Sequence, residues 1–257
     1  LQIATRLSSQ VDFEYVALSG GEPLMYEGLD ELIGGLAKLG HWTVLTTNGT
    51  MLTATRLREL REAGLSSVQV SLTSIRERVH NELTRSHSWK STIAAIARSA
   101  VSGLPTTVVV TATAVNLPDL VATASFLRDS GVHRVVISRL QLSGSAIDNA
   151  DRLDADKLEV LAAIDAVIAE VGAEMRVDIS PPLVGPRDSG WHRWAVAPDG
   201  VLKLCNMASS HLGEVTSMPD ETLARIKNDW SVGNLAPYGS FADTCGCFAR
   251  RMEAARS

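Results

Sequence analysis

The chain has 257 residues, of which 45% are hydrophobic and 21% charged, so it is long enough for one full-sized core plus a smaller appendage. A net charge of −5, with lysines and arginines scattered rather than clustered, argues against a nucleic-acid-binding surface. No apolar run approaches the roughly 20 residues of a membrane helix, and no signal peptide is visible, so we predict a cytoplasmic protein with no nucleic-acid and no membrane partner.

Strands and helices alternate through the first part of the chain. It opens with "LQIATRLSS", whose apolar residues recur at helical spacing, so we expect the chain to begin inside a helix. Short stretches rich in β-branched residues predict five strands, at 15–18, 42–47, 67–72, 106–113 and 134–138. Amphipathic stretches between the strands predict helices that close on glycines, at Gly40, Gly64, Gly103 and Gly131. This alternation indicates right-handed crossovers and a parallel α/β sheet, and a strand assumed before Leu1 would make six, as in a partial (β/α) barrel.

A Gly-Gly-Glu-Pro turn follows the first of these strands, in "SGGEP" at 19–23. Two successive glycines let the backbone approach a ligand closely and expose N–H and C=O groups to it. Glu22 adds an anion that can meet an ammonium group, and Pro23 stiffens the exit into the next helix. The alternative is a plain turn with a surface glutamate, and these residues alone leave both interpretations open.

Small polar residues also gather where the later strands end. The segments are "TTNGT" (46–50), "VSLTS" (70–74), "VNLPD" (115–119) and "SRLQLSG" (138–144). Because ligands bind at the carboxyl ends of parallel strands, these segments predict a polar cofactor site. Taken jointly, SGGEP, TNGT and VSLTS at successive strand ends resemble the radical S-adenosylmethionine (radical SAM) superfamily, from residue 1 to about residue 146. The fold implied is α/β, a partial (β/α)6 barrel of the radical SAM type.

The resemblance implies a set of residues that bind S-adenosylmethionine. Gly20, Gly21 and Glu22 match the family motif that holds the methionyl amino group, and Asn48 lies beside that site.

The same resemblance extends to the later strand ends. Ser71 and Thr73 match positions that reach the ribose or the methionyl carboxylate, and Asn116 matches a loop position that contacts the ribose. Ser138 and Arg139 match the last strand, where backbone and a basic side chain hold the nucleoside or the carboxylate. His80 and His87 follow the third strand and could reach the mouth of the barrel, but we expect them to be surface or helix-capping residues.

One motif of the family is missing from this chain. The family carries a Cys-x3-Cys-x2-Cys loop before the glycine turn, and its thiolates bind a 4Fe-4S cluster that chelates the methionine moiety. Here the first cysteine is Cys205. We expect the loop and its strand to precede Leu1, so that the ligands of the radical SAM cluster lie outside this sequence. The alternative is a relative that lost the cluster and binds S-adenosylmethionine or a peptide without radical chemistry.

The composition changes after residue 146, which divides the chain into three predicted parts. These are the barrel (1–146), a connecting helix and strand (147–186), and a small hairpin-plus-helix domain (187–257). The connecting part contains an amphipathic helix at about 154–171. In the last part, "WHRWAVAPDGVLKLCNM" alternates apolar and polar residues around Asp199-Gly200, which predicts a β-hairpin.

All three cysteines lie in this last part, at Cys205, Cys245 and Cys247. Buried free thiols are one interpretation, because cysteine is commonly a small core residue. The arrangement also resembles the SPASM or Twitch extensions of radical SAM enzymes, which bind auxiliary iron–sulfur clusters. Under that resemblance the three thiolates bind a cluster with an open iron, or with Asp188 or His192 as a further ligand. Zinc, held with His192 or His211, is the alternative metal.

The function implied is that of a radical SAM oxidoreductase. It would form a 5′-deoxyadenosyl radical and abstract hydrogen from a side chain of a ribosomally made peptide, leading to crosslinking or oxidation. A dehydrogenase or epimerase of a small molecule such as a carbohydrate, and a zinc-stabilised structural protein, remain alternatives. The implied cofactors are S-adenosylmethionine, a 4Fe-4S cluster and an auxiliary iron–sulfur cluster, and the implied partners are the substrate and a flavodoxin- or ferredoxin-type reductant. The sequence identifies no catalytic residue.

Overall fold

The computed structural model describes residues 1–11, 13, 15–140, 144–179, 194–203 and 211–232. The chain divides into two compact units, one formed by Tyr15–Leu183 and the other by Leu1–Glu14 together with Val184–Ser257. Among the described residues, no helix combines the length and the hydropathy needed to cross a bilayer.

The larger unit is built on a parallel sheet. Its described strands are β1 (Tyr15–Leu18), β2 (Trp42–Thr47), β3 (Ser67–Ser71), β4 (Thr106–Ala112), β5 (Arg134–Arg139) and β6 (Arg176–Ile179). They pair in the order in which they occur in the chain, and every pair is parallel. Because each connection has to cross back in the same right-handed sense, the helices are brought to one face of the sheet.

Helices and short 3₁₀ turns connect these strands. The helices of this unit are α2 (Leu29–Lys38), α3 (Ala54–Ala63), α4 (Glu77–Thr84), α5 (Trp89–Ala100), α6 (Leu120–Asp129), α7 (Ala150–Leu153) and α8 (Lys157–Val171). The 3₁₀ turns are Pro23–Met25, Leu117–Asp119 and Gly144–Ala146. All four glycines predicted to close helices adopt positive φ, for example 109° at Gly64, where the backbone turns left-handed after α3.

Alternate side chains of the strands point toward the helices and form the core. Leu45, Val68, Val108 and Ile137 are completely buried there, in one cluster with side chains of the helices. We call the other side of the sheet the open face. Its side chains include Trp42, Thr46, Gln69, Thr107, Arg134, Val136, Ser138, Arg176 and Asp178.

The predicted parallel α/β sheet is confirmed, and all five predicted strands are present. The sixth strand of the described sheet is Arg176–Ile179, which the sequence analysis assigned to the connecting part rather than to the sheet. Its four residues pair with β5, and Val177 and Ile179 pack against the core. The strand follows α8, so it extends the alternation of strand and helix by one further unit.

The smaller unit contains a short antiparallel sheet and two helices in its described residues. These elements are α1 (Gln2–Gln10), β7 (Ala195–Val196), β8 (Val201–Lys203), β9 (Gly213–Glu214) and α9 (Asp220–Val232). The predicted hairpin is confirmed, because β7 and β8 pair around Asp199 and Gly200, where φ is 83° at the glycine.

The N-terminal helix α1 packs within this smaller unit. Ile3 and Leu7 contact an apolar cluster that includes Leu202. Arg6 donates hydrogen bonds to the backbone carbonyls of residues 215, 216 and 218, and it forms an ion pair with Asp220 at 2.9 Å. Helix α1, which the sequence analysis grouped with the barrel, is therefore held by the C-terminal part of the chain.

Candidate functional site at the carboxyl ends of the strands

Glu22 links the turn after β1 to the end of β2. The Thr47 hydroxyl donates a hydrogen bond to Oε1 at 2.7 Å, and the Asn48 backbone N–H donates to Oε2 at 2.9 Å. The Leu24 backbone N–H donates to Oε1 at 3.2 Å, so the carboxylate also caps the following 3₁₀ turn. A carboxylate offers about four acceptor positions, so Oε2 can accept one further bond from a cation.

The two glycines before Glu22 leave space beside the backbone. Gly20 has φ of 136°, in the region that favours glycine, and both glycines are exposed. A Cβ atom added to Gly20 or Gly21 would meet none of the described heavy atoms within 4 Å. The peptide groups of this turn are therefore open to a ligand.

Hydrogen bonds within the loop after β2 fix the position of Asn48. Its Oδ1 accepts hydrogen bonds from the backbone N–H and the hydroxyl of Thr50, at 2.8 and 2.6 Å. Gly49, with φ of 82°, donates its N–H to the Thr47 hydroxyl at 3.0 Å. Asn48 is exposed, and its Nδ2 has no partner in the part of the chain that the structure describes. The amide therefore presents two donors toward solvent or a ligand.

The end of β3 contributes Ser71 and Thr73. Ser71 is exposed on the open face, whereas Thr73 is half-buried. The Thr73 hydroxyl lies 3.1 Å from Nδ1 of His80, and its backbone N–H donates to the same nitrogen at 3.4 Å. Thr73 is thus positioned by a histidine of α4.

His80 is a buried residue, so the expectation of a surface or capping histidine is wrong for it. Its side chain is 1% exposed, and Nε2 lies 3.1 Å from the Ser88 hydroxyl. Because Nδ1 accepts from the Thr73 N–H, the proton of the neutral ring is on Nε2. Burial lowers the pKa of His80, since the charged form would lose its hydration. His80 therefore connects Thr73 to the start of α5 as a neutral residue.

Asn116 is buried beneath the strand ends and uses its whole amide within the protein. Nδ2 donates to the backbone carbonyls of Thr73 and Thr111, at 2.6 and 2.9 Å. Oδ1 accepts from the backbone N–H and the hydroxyl of Thr113, at 2.8 and 3.0 Å. Two donors and two acceptor positions are the full capacity of an amide, so Asn116 shapes the loops around β3 and β4.

The two predicted site residues at the end of β5 lie on opposite faces of the sheet. Ser138 lies on the open face, where its hydroxyl is 3.2 Å from that of Thr111. Arg139 points to the face covered by helices, where Nη2 donates to Asp154 at 3.1 Å. The charge of Arg139 is therefore already paired within the protein.

A second set of polar contacts, which the sequence analysis missed, joins the loops after β3 and β4. Asp119 is 2% exposed, accepts a hydrogen bond from the Ser74 hydroxyl at 2.8 Å and forms an ion pair with Arg76. Ser74 and Asp119 end the segments "VSLTS" and "VNLPD", so the signal was present in the sequence. These contacts fix the loop that carries Thr73.

The three cysteines predicted to bind metal, Cys205, Cys245 and Cys247, lie outside the described residues, as do Asp188 and His192. His211, the other candidate zinc ligand, is described and exposed. Within the described ranges, no group of three or more His, Cys, Asp or Glu side chains is arranged to hold a metal ion.

A family model and several known proteins match this chain. Residues 1–137 match the family model described as the radical SAM superfamily. The chain is 29% identical over 223 residues to a PqqA peptide cyclase of Ruegeria pomeroyi, covering 81% of this chain and 59% of that protein. It is 25% identical over 228 residues to a probable GTP 3′,8-cyclase of Methanothermobacter marburgensis, covering 80% of this chain and 73% of that protein.

Solved structures show the same fold. Streptococcus suis SuiB bound to S-adenosylmethionine superposes with a TM-score of 0.69 at 12% identity, covering 87% of this chain and 57% of SuiB. SuiB bound to the precursor peptide SuiA superposes with a TM-score of 0.68 at 12% identity, covering 96% of this chain and 62% of SuiB. The chain thus spans about 60% of the length of proteins such as SuiB and the Ruegeria cyclase.

Proposed function

Because the chain belongs to the radical SAM superfamily, we propose that it is an enzyme that binds S-adenosylmethionine at the Glu22 turn and modifies a peptide side chain. The observation that carries the proposal is the arrangement of Glu22, whose carboxylate is held by the end of β2 while one acceptor position on Oε2 has no partner among the described residues. The neighbouring glycine turn leaves room for a ligand against its peptide groups.

The residues at the strand ends fit the polar parts of S-adenosylmethionine. Glu22 would accept a charge-assisted hydrogen bond from the methionyl ammonium group. The peptide groups of Gly20 and Gly21 would bind along the same moiety. The free amide donors of Asn48 and the exposed hydroxyl of Ser71 suit carboxylate and ribose oxygens.

The other predicted residues would shape the site rather than bind the cofactor directly. Thr73 is held by His80, and Asn116 is saturated by backbone groups, so both would fix the shape of the site. Ser138 would face the substrate from the open face, whereas Arg139 would brace β5 through Asp154. These residues would orient the cofactor and limit the access of water.

The iron–sulfur chemistry would be provided by residues that the structure does not describe. S-adenosylmethionine, reduced by a 4Fe-4S cluster with an electron from a flavodoxin or ferredoxin, would supply the 5′-deoxyadenosyl radical that abstracts hydrogen. We propose that Cys205, Cys245 and Cys247 hold an auxiliary iron–sulfur cluster of the Twitch type.

A peptide substrate is favoured by the relatives. One is described as a PqqA peptide cyclase, and SuiB has been solved with its precursor peptide. A small-molecule substrate is the second candidate, because another relative is described as a probable GTP 3′,8-cyclase.

The test uses the complete encoded polypeptide, purified and reconstituted without oxygen. With a low-potential reductant, it should convert S-adenosylmethionine to methionine and 5′-deoxyadenosine, as measured by mass spectrometry. Absence of 5′-deoxyadenosine from a preparation that contains its iron would contradict the enzyme proposal and favour a binding protein. Transfer of deuterium from a labelled peptide to 5′-deoxyadenosine would identify a peptide substrate, and transfer from a labelled nucleotide or sugar would identify a small molecule.

A further inference from the structure

A row of polar side chains crosses the open face of the sheet. In the strand register, Thr46 lies beside Gln69, and Gln69 lies beside Thr107. Thr107 lies beside Arg134, and Arg134 lies beside Arg176 of the edge strand. The row is polar throughout and ends in two arginines.

These two arginines are direct neighbours across β5 and β6. Neighbouring strands are about 4.8 Å apart, and like charges placed opposite each other in a sheet are destabilising. The pair is also placed where apolar side chains would extend the sheet at no electrostatic cost. A bound anion would offset this repulsion.

Asp178 neutralises only part of this charge. One carboxylate oxygen accepts a hydrogen bond from Nε of Arg176 at 2.9 Å, and the other lies 3.4 Å from Nε of Arg134. Both contacts use Nε, and no described residue forms a hydrogen bond or ion pair with the terminal nitrogens of either guanidinium group. Two cations and one anion leave one positive charge, which a single carboxylate would balance.

The arginines lie at the opposite end of the strands from the Glu22 turn. Arg134 begins β5 and Ser138 lies near its end on the same face, four residues further along. At about 3.3 Å per residue this separation is about 13 Å. A ligand that reaches from the arginines to the strand ends must therefore be as long as about four extended peptide residues.

We propose that Arg134 and Arg176 bind the carboxylate of an acidic side chain in a peptide substrate, about four residues away from the residue that reacts. This inference rests on the proposed function, because it assumes that the reaction takes place at the strand ends. Arginine suits this task, since its planar guanidinium group can bind a carboxylate through two parallel hydrogen bonds. Asp178, which accepts a hydrogen bond from Arg176 and forms an ion pair with Arg134, would position both side chains and leave the terminal nitrogens for the ligand.

The experiment compares two blocked, fluorescein-labelled heptapeptides that differ only in a central Glu or Gln. Binding to the complete reconstituted protein is measured by fluorescence anisotropy at low salt, for wild type and for R134Q, R176Q and D178N. Wild type should bind the Glu peptide at least about fivefold more tightly than the Gln peptide, with the preference falling as salt is raised. R134Q and R176Q should each remove most of this preference.

D178N is the variant that separates ligand binding from a structural role. Asn at this position can still accept a hydrogen bond from Nε of Arg176, but it no longer neutralises part of the positive charge, so D178N should increase the preference for the Glu peptide. If the three side chains only brace the edge of the sheet, all three variants would lower the melting temperature and leave the two peptides bound alike. Equal binding of the two peptides by wild type would overturn the inference, as would an unchanged preference in D178N.

Two further readouts complete the test. Inorganic phosphate that displaces the Glu peptide more effectively than acetate does would overturn the assignment to a carboxylate. Formation of 5′-deoxyadenosine in the absence of peptide is measured in the same preparations and should persist in R134Q and R176Q, because these arginines lie at the opposite end of the strands from the Glu22 turn. Wild type that forms 5′-deoxyadenosine without a Glu preference would refute this inference alone, whereas wild type that forms none would refute the proposed function.

Discussion

Replacing Glu22 by Gln is the most direct test of the candidate site, because the change removes a charge and almost no volume. In the structure the carboxylate accepts three hydrogen bonds, from Thr47, Asn48 and Leu24. A Gln side chain has one oxygen, so its NH₂ group must face either the Asn48 N–H or the donors on the other side. At least one hydrogen bond is lost, and those that remain are no longer charge-assisted.

The expected effects can be estimated from the strength of hydrogen bonds to charged groups, about 1.5–3 kcal/mol each. Because Glu22 is half-buried, E22Q should lower the free energy of unfolding by about 1–3 kcal/mol. Loss of the partner for the ammonium group should weaken the binding of S-adenosylmethionine by about 1.5–3 kcal/mol, which corresponds to about 10- to 150-fold in Kd.

The matched control is T47V, which removes one hydrogen bond to Glu22 and keeps its charge. T47V should also destabilise the protein, because Thr47 is buried and accepts the Gly49 N–H as well. Its S-adenosylmethionine affinity should fall much less than that of E22Q. Urea unfolding and isothermal titration of the anaerobically reconstituted protein measure the two quantities. Equal loss of affinity in E22Q and T47V would show that Glu22 acts only by holding the loop, and unchanged affinity in E22Q would refute its role altogether.

Three further predictions concern His80, Gly49 and Cys205. Burial lowers the pKa of His80, so its contribution to stability is complete above the unfolded value near 6.5 and is lost as the pH falls through the folded pKa. In urea unfolding between pH 5 and 8, the free energy of unfolding of wild type should therefore fall toward acid pH, by at most about 1.4 kcal/mol per pH unit from this residue. H80N should lack this contribution, and identical pH dependence in the two proteins would contradict the prediction. G49A should destabilise the protein by about 1–3 kcal/mol, because φ is 82° there and the new Cβ would lie 3.0 Å from that of Ala95. G40A is the control, since a Cβ there would meet no atom within 4 Å, and thermal denaturation should show a smaller loss of stability for it. C205S should lower the iron content of the reconstituted protein from about eight to about four per chain, and zinc in place of iron in wild type would contradict the auxiliary cluster.

The sequence was sufficient to predict most of the sheet, because its strands are buried on one face and end at glycine or polar turns. Strand β6 was assigned to the connecting part, since the strand that follows α8 has only four residues and two of them are charged. Its Arg176 and Asp178 look like loop residues in the sequence, and only the register with β5 places them on the open face. The packing of α1 could not be predicted either, because it depends on contacts between residues more than 200 positions apart.

Within the candidate site, the sequence identified polar residues at the strand ends but did not separate their roles. Asn48 and Asn116 are both asparagines in loops that follow strands, and their environments differ completely. Asn116 is 1% exposed with every donor and acceptor used by the protein, whereas Asn48 is exposed and keeps its amide donors free among the described residues. Burial decides this difference, because a buried amide must find partners within the protein and an exposed one need not.

This division extends to the whole set of strand-end residues. Thr47, His80 and Asn116 are buried, and each connects two segments of the chain through hydrogen bonds that a ligand would not replace. Glu22 and Asn48 are held by such bonds and still keep an acceptor or donors for a ligand. A site built this way orders its binding groups before the ligand arrives, so less conformational entropy is lost on binding. Substitutions of the buried residues should therefore reduce stability and affinity together, whereas loss of the Asn48 amide donors should reduce affinity with little effect on unfolding.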